Sequence, residues 1–577
     1  MSVFAGVFSL SSGQPVAFGQ ALEAAAAPDA DFIVSRYIDS RLVLVHGDLG
    51  VLPERGWRVS ERDVTALAGS LHLTPPAAGL DATAQPELNS VTNSLVAGRP
   101  GDLAAANGTF ALCVYDRQTQ RLTLAADCLG ARPLFYSVHS GCLLFATSLG
   151  VFERMDILPK TMELASYVEQ EAVCYPLGRR TVYRDISVLL ANECLAASDG
   201  QVSRKCYFDW ATLPLADEPV EELAVTCRRA VREAVACRVR PGNVQRSLLS
   251  GGLDSRVIVT ELLDLGFEVE ATNLAREGFQ DQVYARQFAE AADVRLTSIP
   301  WTLDLTGVSA GVSTARLLGA AVSGLAPGVA FSGDGGGETL GFLLMNRMAA
   351  NLLRQGRRRP AVDEYLRGRR PSKLLFTREV FNELKTVVND RLDRELTGVG
   401  SASLEKALQI VVLSNDMRCH LHEYFSRLAR YRVELLLPFY DRRVIASTIR
   451  IPPPLEPFMR HAFYDRVVEQ LPPLLRSAPW QTYPGHSACP VPDPAPPRPQ
   501  WSQTPSRGDA LARRCLRMAL SPGLAPFLRR PTILAAVMLH RARLADYMYL
   551  FKTCISTQTL WERTHSYVVR EEAPAPR

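Results

Sequence analysis

Hydrophobic and polar residues alternate, or form short β-prone runs, over roughly the first two hundred positions of the chain. Turn residues separate four such runs, which are predicted strands: FALCVYD (Phe110–Asp116), RLTLAAD (Arg121–Asp127), LFYSVHS and CLLFATS. Helical spacing is confined to stretches near Thr65–His72 and Thr161–Glu169. The pattern therefore predicts an antiparallel-sheet domain.

From about Asp217 the pattern changes to amphipathic helices that alternate with apolar strands. The helical segment VEELAVTCRRAVREAVACRVR precedes the strand VQRSLLS, and a helix that ends at Gly266 precedes the strand FEVEATNLA. A third helix, around DQVYARQFAEAA, precedes the strand VRLTSIP, and GVAFSG (Gly328–Gly333) is a fourth strand. Strands that alternate with helices predict a parallel α/β sheet.

Beyond about Arg354 the spacing is mostly helical, and it is helical again over Asp509–Tyr567. The proline-dense segment Cys489–Gln500 cannot continue a helix or a central strand, so a linker or an extended surface loop is predicted there. The predicted domains span residues 1–209 and 215–577.

The composition narrows the class of protein. The 577 residues are 47% hydrophobic, and 64 Lys+Arg nearly balance 60 Asp+Glu, which excludes a wholly disordered chain and gives no sign of a nucleic-acid-binding tail. No apolar run reaches the roughly 20 residues that span a bilayer, and the N-terminus lacks the basic region of a signal peptide. The twelve cysteines show no metal-binding spacing. We therefore expect a cytoplasmic protein with reduced cysteines, no membrane span and no nucleic-acid partner.

The segment LLSGGLDSRVI (Leu248–Ile258) lies at the predicted turn from a buried strand into a helix. Backbone N–H groups and the positive end of the helix dipole favour a phosphate there, and glycines let the backbone approach it closely. The segment has neither the Walker nor the dinucleotide pattern, but it matches the pyrophosphate-binding SGG-x-DS signature of enzymes that split ATP between its α and β phosphates. A turn that merely caps the helix is the structural alternative. The predicted ATP-binding residues here are Ser250, Gly251, Gly252, Leu253, Asp254 and Ser255.

A second glycine-rich segment, FSGDGGGETLGF (Phe331–Phe342), follows the fourth predicted strand. If that strand is a neighbour in the sheet, its carboxyl end faces the same crevice, where open α/β sheets bind their ligands. Gly333, Asp334 and Glu338 would then lie near ATP. The alternative is a flexible glycine loop with solvated acids.

A third segment, VELLLPFYDRRVI (Val433–Ile445), completes the set of motifs. Its Glu434 precedes an apolar run, and Asp441 is predicted to cap the next helix.

The three segments, in this order and spacing, resemble the asparagine synthetase superfamily over most of residues 1–485. The N-terminal half adds NGTFALCVYDRQTQRLTLAADCLGARPLFY (Asn107–Tyr136) and FATSL (Phe145–Leu149), which resemble the family's strand set. The resemblance implies an α+β N-terminal domain with antiparallel sheets, of the Ntn-hydrolase-like glutamine amidotransferase type. It also implies an α/β parallel-sheet ATP-pyrophosphatase synthetase domain with a helical C-terminal part, and the cofactors ATP and Mg²⁺.

The chain departs from the glutaminases of this family. MSVFAGVF aligns without gaps with the family's start, so that Ser2 stands where a cysteine exposed by loss of Met1 attacks glutamine. The glutamine-holding segments have no equivalent around Val59–Ala66 or Ser90–Ser94. An inactive glutaminase-like domain is therefore expected. The departures favour the branch of β-lactam synthetases and lasso-peptide macrolactam cyclases, in which an amine already on the substrate attacks the adenylated carboxylate.

The resemblance also assigns roles by position. Asp334 matches the proton-handling residue and Glu434 its carboxylate partner, and two nearby carboxylates would push one pKa upward. The family's second magnesium aspartate falls on Gly337, so Glu338 or Asp334 would take that role. The late catalytic lysine is absent after LPPLL, and Arg476 is the nearest cation for the phosphorus transition state. The predicted catalytic residues are Asp334, Glu434 and Arg476, and the predicted metal-binding residues are Asp254 and Glu338.

The leading hypothesis is an ATP-dependent ligase that adenylates a carboxylate, releases pyrophosphate and closes a macrolactam in a ribosomal, lasso-type peptide. A precursor peptide and a leader-peptide protease would be its partners. One alternative is a ligase that joins a small-molecule carboxylate to ammonia or a small amine, including β-lactam-type closure. The other is a non-catalytic assembly scaffold, which Gly337 and the missing lysine would suit.

Overall fold

The computed structural model describes residues 2–10, 19–26, 32–52, 56–73, 86–155, 158–240, 242, 244–301, 310–369, 371–401, 403–426, 431–459, 461–482, 487–499, 508–564 and 566–569. The strands of the N-terminal half are β1 (Ser2–Ser9), β2 (Ile33–Ile38), β3 (Leu42–Asp48), β4 (Trp57–Val59), β5 (Asp63–Gly69), β6 (His72–Leu73), β7 (Ala106–Asn107), β8 (Phe110–Asp116), β9 (Arg121–Ala126), β10 (Phe135–His139), β11 (Cys142–Ala146), β12 (Thr161–Glu163), β13 (Ser187–Val188), β14 (Glu193–Ser198) and β15 (Gln201–Cys206). Its helices are α1 (Gly19–Ala26), α2 (Pro86–Val96), α3 (Leu149–Arg154) and α4 (Leu164–Val173).

In the described part of this half, two antiparallel sheets of six strands face each other. Their orders are β13-β10-β11-β1-β3-β2 and β15-β14-β9-β8-β5-β4. Buried side chains such as Phe4 and Phe145 from the first sheet and Tyr115 and Leu124 from the second form the core between them. Helices α1 and α3 pack on the outer face of the first sheet, and α2 packs on the second. The predicted antiparallel-sheet domain is confirmed, including the strands at Phe110–Asp116 and Arg121–Asp127.

The helical spacing near Thr65–His72 is misleading. This stretch belongs to β5 and β6, and β5 pairs with the central strand β8. All seven residues of β5 are buried, because the other sheet covers one face and α2 the other, so no polar alternation marks it as a strand. Thr161–Glu169 is helical only from Leu164, since its first three residues form β12.

The second half contains the remaining elements, which alternate as predicted. Its strands are β16 (Val244–Leu248), β17 (Glu268–Ala275), β18 (Arg295–Pro300), β19 (Gly328–Phe331), β20 (Val433–Leu436) and β21 (Ser566–Val568). Its helices are α5 (Val220–Ala236), α6 (Leu253–Asp264), α7 (Gln280–Ala291), α8 (Ala310–Val322), α9 (Gly336–Thr339), α10 (Arg347–Arg354), α11 (Arg358–Tyr365), α12 (Arg378–Leu384), α13 (Val387–Gly398), α14 (Leu404–Val412), α15 (Arg418–His420), α16 (His422–Phe425), α17 (Arg442–Ile449), α18 (Ala462–Glu469), α19 (Gly508–Leu520), α20 (Arg530–Arg541) and α21 (Met548–Trp561).

The parallel sheet positions the motifs. Its order is β18-β17-β16-β19-β20, so the four predicted strands are confirmed and β20 is a fifth that the pattern did not reveal. Neighbouring residues such as Ala330 and Phe331 belong to different buried clusters, which shows that helices cover both faces. Since β16 and β19 are neighbours, the segments after Leu248 and Phe331 meet at the carboxyl edge of the sheet.

The C-terminal helices pack together with α4 and with α10 to α14 in one further apolar cluster. Strand β21 pairs in parallel with β12, with Thr161 opposite Ser566, so the end of the described chain joins the N-terminal half. The predicted division into 1–209 and 215–577 stays a prediction, and this pairing crosses it. No helix among the described residues has the length and apolarity needed to cross a membrane.

A buried ion pair connects the two halves at their centre. The Arg132 guanidinium donates to the Glu434 carboxylate at 2.7 Å, and the two side chains are 1% and 2% exposed. The same guanidinium lies 4.3 Å above the ring of Phe425. Because removing one charge leaves the other buried without compensation, this pair couples the fold of the first half to the position of β20.

We expect Arg132→Ala to destabilise the protein by about 3 kcal/mol or more, since it strands the Glu434 charge in the interior. The matched control is Arg295→Ala, which removes an exposed pair with Glu270 worth about 0–1 kcal/mol. Thermal midpoints measured by differential scanning fluorimetry check this. Equal midpoints for the two variants would contradict it.

Candidate active site

The Ser-Gly-Gly turn lies between the end of β16 and the start of α6. The Ser250 N–H donates to the Ser255 hydroxyl at 2.9 Å, and the hydroxyl oxygens of Ser250 and Ser255 are 3.1 Å apart. The Gly251 N–H donates to the Asp281 carboxylate at 3.1 Å, so Asp281, which the sequence did not reveal, anchors the turn. The first helical residue is Leu253, and the N-cap Gly252 supplies no side-chain cap. The positive end of α6 is therefore suited to an anion.

The acidic glycine loop packs directly on this turn. A Cβ atom at Gly333 would lie 2.3 Å from the backbone nitrogen of Ser255, and one at Gly336 would lie 2.7 Å from the carboxyl carbon of Asp254. Only residues without a side chain allow such an approach. The structure therefore brings together the predicted ATP-binding residues and the second loop, as the sequence predicts.

Asp254 lies half-buried at the centre of this contact. The Tyr464 hydroxyl donates to its carboxylate at 2.8 Å. Burial, together with the charges of Glu338 and Asp334, raises the pKa of Asp254 to about 7, against the lowering effect of the hydrogen bonds from Tyr464 and the Gly337 N–H. Burial and the Asp334 charge also raise the pKa of Glu338. The predicted acids thus share one electrostatic environment.

Two further residues of this environment, Asp416 and His420, were missed by sequence reasoning. Asp416 lies in a π-turn over Leu413–Met417, and His420 ends α15, four residues further along the same helical face. His420 Nε2 lies 3.5 Å from the Asp334 carboxylate. The Asp-x-x-x-His spacing was the signal in the sequence, but only the fold shows that this face meets the glycine loop.

The charges of this cluster shift its pKa values together. Burial is the main cause that raises the pKa of Asp416 to about 7; the nearby His420 lowers this pKa, and the charges of Glu338 and Asp334 raise it. Burial by itself would lower the pKa of His420, but Asp334, Asp416 and Glu338 outweigh it, and the net shift is upward. A protonated imidazole among carboxylates is a group that can pass protons to and from a bound substrate.

Glu434, the predicted carboxylate partner of Asp334, forms its ion pair elsewhere in the structure. Glu434 lies inside β20 opposite Val329, before the carboxyl edge of the sheet, whereas Asp334 follows that edge. Among the described residues its ion pair is with Arg132, and it contacts no group of the acidic loop. Asp416, with His420, occupies the place beside Asp334 instead.

Arg476 lies in a short 3₁₀ turn, Pro473–Arg476, and is half-buried. It makes no ion pair within the described ranges, so its assignment to the phosphorus transition state stays a prediction. The neighbouring segment is fixed against the nucleotide turn, because the buried Arg256 donates to the carbonyl oxygens of Ala478 at 2.5 Å and Pro479 at 2.8 Å. The Gln481 N–H also donates to the carbonyl oxygen of Gly251 at 2.9 Å.

The side chains around Asp254 have the chemistry of a magnesium site. Carboxylate oxygens are the protein ligands that Mg²⁺ prefers, usually with substrate phosphates and waters completing the shell. A Cβ at Gly337 would lie 3.5 Å from an Asp254 oxygen, so an aspartate at position 337 would place a second carboxylate beside Asp254. Glu338, the residue after Gly337, is the nearest acid in the sequence to that position. The buried Tyr440 hydroxyl has no hydrogen-bond partner among the described residues. Burial and the charges of Asp334 and Glu338 raise its pKa. These residues fit a magnesium-bound polyphosphate.

No group of three or more His, Cys, Asp or Glu side chains in the described ranges is arranged to hold a metal ion. Asp254 and Glu338 therefore stay predicted ligands.

The N-terminal half contains the position expected for a glutaminase nucleophile. Ser2 is 5% exposed, and its hydroxyl donates to the carbonyl oxygen of Leu67 at 2.9 Å. His46 Nε2 lies 3.2 Å from the same oxygen, within hydrogen-bond distance. The Ser2 hydroxyl is thus held by the protein interior.

Residues 226–478 match the family model of asparagine synthase, and residues 96–208 match that of the glutamine amidotransferase domain. The asparagine synthase domain indicates an ATP-dependent amide-forming ligase. The two matches, in this order, support an assignment to the asparagine synthetase superfamily. Members of the asparagine synthase family use ATP.

Solved structures were compared as well. The glutamine phosphoribosylpyrophosphate amidotransferase from B. subtilis, complexed with ADP and GMP, aligns with 58% of this chain and 81% of its own, at 11% identity and a TM-score of 0.25. A structure titled as the allosteric regulatory enzyme of purine biosynthesis aligns with 56% of this chain and 78% of its own, at 11% identity and a TM-score of 0.26. No curated protein matches the chain.

We expect Gly333→Ala to lower ATP affinity at least about tenfold, because the added Cβ would collide with the backbone at Ser255 and separate the two loops. Gly398→Ala is the control, since a Cβ at this exposed helical position meets no atom within 4 Å. Isothermal titration with Mg²⁺–ATP measures both variants. Unchanged affinity in Gly333→Ala would contradict this packing.

We expect Asp416→Asn to raise the thermal midpoint at pH 8. The folded protein holds the Asp416 proton up to about pH 7, but the unfolded chain loses it near pH 4, so stability falls between these values and stays low above them. Asparagine has no such penalty, so the advantage of the variant should shrink towards pH 5. Thermal midpoints across pH check this, with Asp217→Asn as the exposed control. A midpoint at or below that of the unmodified protein at pH 8 would overturn the assignment.

Proposed function

We propose that this ligase closes an amide ring within a peptide: it adenylates a side-chain carboxylate and joins it to an amine of the same molecule. A ribosomally made, lasso-type precursor is the proposed substrate class. The observation that carries the proposal is the state of Ser2. A serine replaces the nucleophilic cysteine of the related glutaminases, and its hydroxyl is buried against the Leu67 carbonyl, which argues against glutamine as the source of the amine. An amine carried by the substrate itself would take its place.

The first step is activation of the acid. A substrate carboxylate oxygen attacks the α-phosphorus of ATP held at the Ser250–Ser255 turn, the bond to the β-phosphate oxygen breaks, and pyrophosphate leaves. The N-terminus of α6 and the turn hydroxyls bind the departing phosphates. Asp254 and Glu338 would hold magnesium, which neutralises phosphate charge when bound. Arg476 would add positive charge for the phosphorus transition state.

The second step is attack by the amine. The ammonium must lose one proton before its nitrogen bonds the acyl carbon, and a second as AMP leaves and the amide forms. Asp334 with His420 and Asp416 is the proposed acceptor, because His420 Nε2 lies 3.5 Å from the Asp334 carboxylate and burial is the main cause that raises the pKa of Asp416 to about 7. Holding both ends of the peptide in one crevice supplies most of the rate gain for ring closure.

This function implies partners and a location. A precursor peptide supplies the carboxylate, and a leader-peptide protease would free the amine by removing the leader. We propose that the reaction takes place in the cytoplasm, where the twelve cysteines, all free thiols, would stay reduced.

A second candidate is a ligase that uses free ammonia or a small amine. The same acidic cluster favours it, because the cluster could accept a proton from any ammonium that enters the site. The ammonium need not belong to the molecule that carries the carboxylate.

The test of the site is substrate-dependent AMP formation from Mg²⁺–ATP. We expect Asp254→Asn to abolish it, because the residue is central to the nucleotide contact. The control is Asp264→Asn at the far end of α6, which should keep activity within about twofold of the unmodified protein. Retained activity in Asp254→Asn would remove this site from the mechanism.

The product decides between the candidates. Mass spectrometry of a precursor peptide encoded beside this gene, incubated with Mg²⁺–ATP after leader removal, should show loss of one water. AMP formation from a small acid and ammonium salts, with no peptide required, would favour the second candidate. If the protein bound no ATP at all, the hypothesis of a non-catalytic assembly scaffold would remain.

A further inference from the structure

The strongest local charge in the chain is a strip formed by residues 354–373, which includes the whole of α11. Eight of its twenty residues are Arg or Lys and two are acidic, so its net charge of +6 exceeds the +4 of the whole protein. We call this segment the basic strip. Its exposed cations are Arg354, Arg357, Arg359, Arg367, Arg369 and Lys373.

Much of this charge is not neutralised within the protein. Three of its arginines are paired: Arg358 with Asp393 at 2.6 Å, Arg359 with Asp390 at 2.7 Å, and Arg367 with Glu364. In the described part of the chain, Arg357 and Lys373 have no ion-pair partner. Exposed cations without partners attract a ligand of opposite charge at little desolvation cost.

A surface groove of about 510 Å³ opens beside these cations, between α10 and α11. Leu352 and Pro360 give it apolar walls, and Arg357 and Arg367 give it positive charge. Its two acids are already engaged: Asp363 accepts from the Asn389 amide at 2.7 Å, and Glu364 holds Arg367. The volume lies in the range of ligand pockets, roughly 300–1,000 Å³, and suits a few residues of an extended chain.

Arg369, near one end of the strip, is within electrostatic range of the acidic cluster. Helix α10 begins shortly after the acidic glycine loop, and α11 is followed by Arg369, whose guanidinium lies 5.8 Å above the Tyr365 ring. Arg369 is also one of the charges that lower the pKa of Asp416. A chain bound along the strip would therefore reach the crevice from the side of the proton-handling cluster.

We propose that the basic strip binds an acidic segment of the peptide substrate and guides it to the active site. This inference rests on the proposed peptide ligase function and names the charge of its substrate. A peptide is favoured over a nucleic acid, because the groove has apolar walls, and because the strip's aromatic ring, Tyr365, is half-buried with the Arg369 guanidinium 5.8 Å from its centre.

The test measures binding by the full chain without ATP. The probe is a fluorescein-labelled peptide of alternating glutamate and glycine, and its charge control replaces glutamate with glutamine. We expect Arg357→Gln combined with Lys373→Gln to weaken binding of the acidic probe at least about tenfold and to reduce its sensitivity to salt. The matched control is Arg513→Gln combined with Arg517→Gln, which removes two exposed charges from α19 and should leave affinity unchanged.

Four results would overturn the proposal: no binding of the acidic probe, equal binding of the glutamine probe, equal weakening in the α19 control, or tighter binding of a single-stranded oligonucleotide that the strip variant also loses.

Failure of the ligase proposal can be distinguished from failure of the strip proposal. If the acidic probe binds at the strip but no peptide supports AMP formation, the ligase proposal fails and the surface stands. If peptides are ligated and the strip variant keeps both affinity and KM, the strip proposal alone fails.

Discussion

The site depends on the contact between two turns at the carboxyl edge of the parallel sheet. Neighbouring strands β16 and β19 bring the turns side by side, and the missing side chains of Gly333 and Gly336 let the acidic loop touch Ser255 and Asp254. The contact brings carboxylates close together in a half-buried place, where burial and mutual repulsion raise their pKa values. That repulsion favours binding of a cation or a proton in the crevice. A bound metal cation would neutralise the charge of a polyphosphate, and a carboxylate that takes up a proton could accept it from an ammonium.

The N-terminal half contributes structure to a site that it does not contain. Its buried Arg132 fixes Glu434 in β20, and the Arg442 N–H donates to the Asn107 side chain at 2.8 Å. Buried Arg418, next to the cluster of Asp416 and His420, donates to the carbonyl oxygen of Gly178 at 2.5 Å. The N-terminal half can therefore be required for the activity of the site even though its Ser2 hydroxyl is hydrogen-bonded within the interior. Its contacts support β20 and the π-turn.

Sequence reasoning succeeded where the information is local. The SGG-x-DS segment and the glycine loop each lie at a strand end, so the pattern located both, and β16 and β19 were predicted as strands. It failed where the chain must fold to bring residues together. Asp416 and His420 reach the loop only through the packing of a long helical segment, and the distance of Glu434 from Asp334 depends on the register of β20, which the pattern did not identify as a strand. Thr65–His72 was misread because a strand buried on both faces has no polar face.

The pairing of β21 with β12 has a consequence for biosynthesis. Thr161–Glu163 emerges from the ribosome long before Ser566–Val568, so the two six-stranded sheets have time to form while β12 still lacks its partner strand. Pairing of β12 must wait until Ser566–Val568 has been translated. The contact between β12 and β21 is therefore made only after the parallel-sheet half has been synthesised.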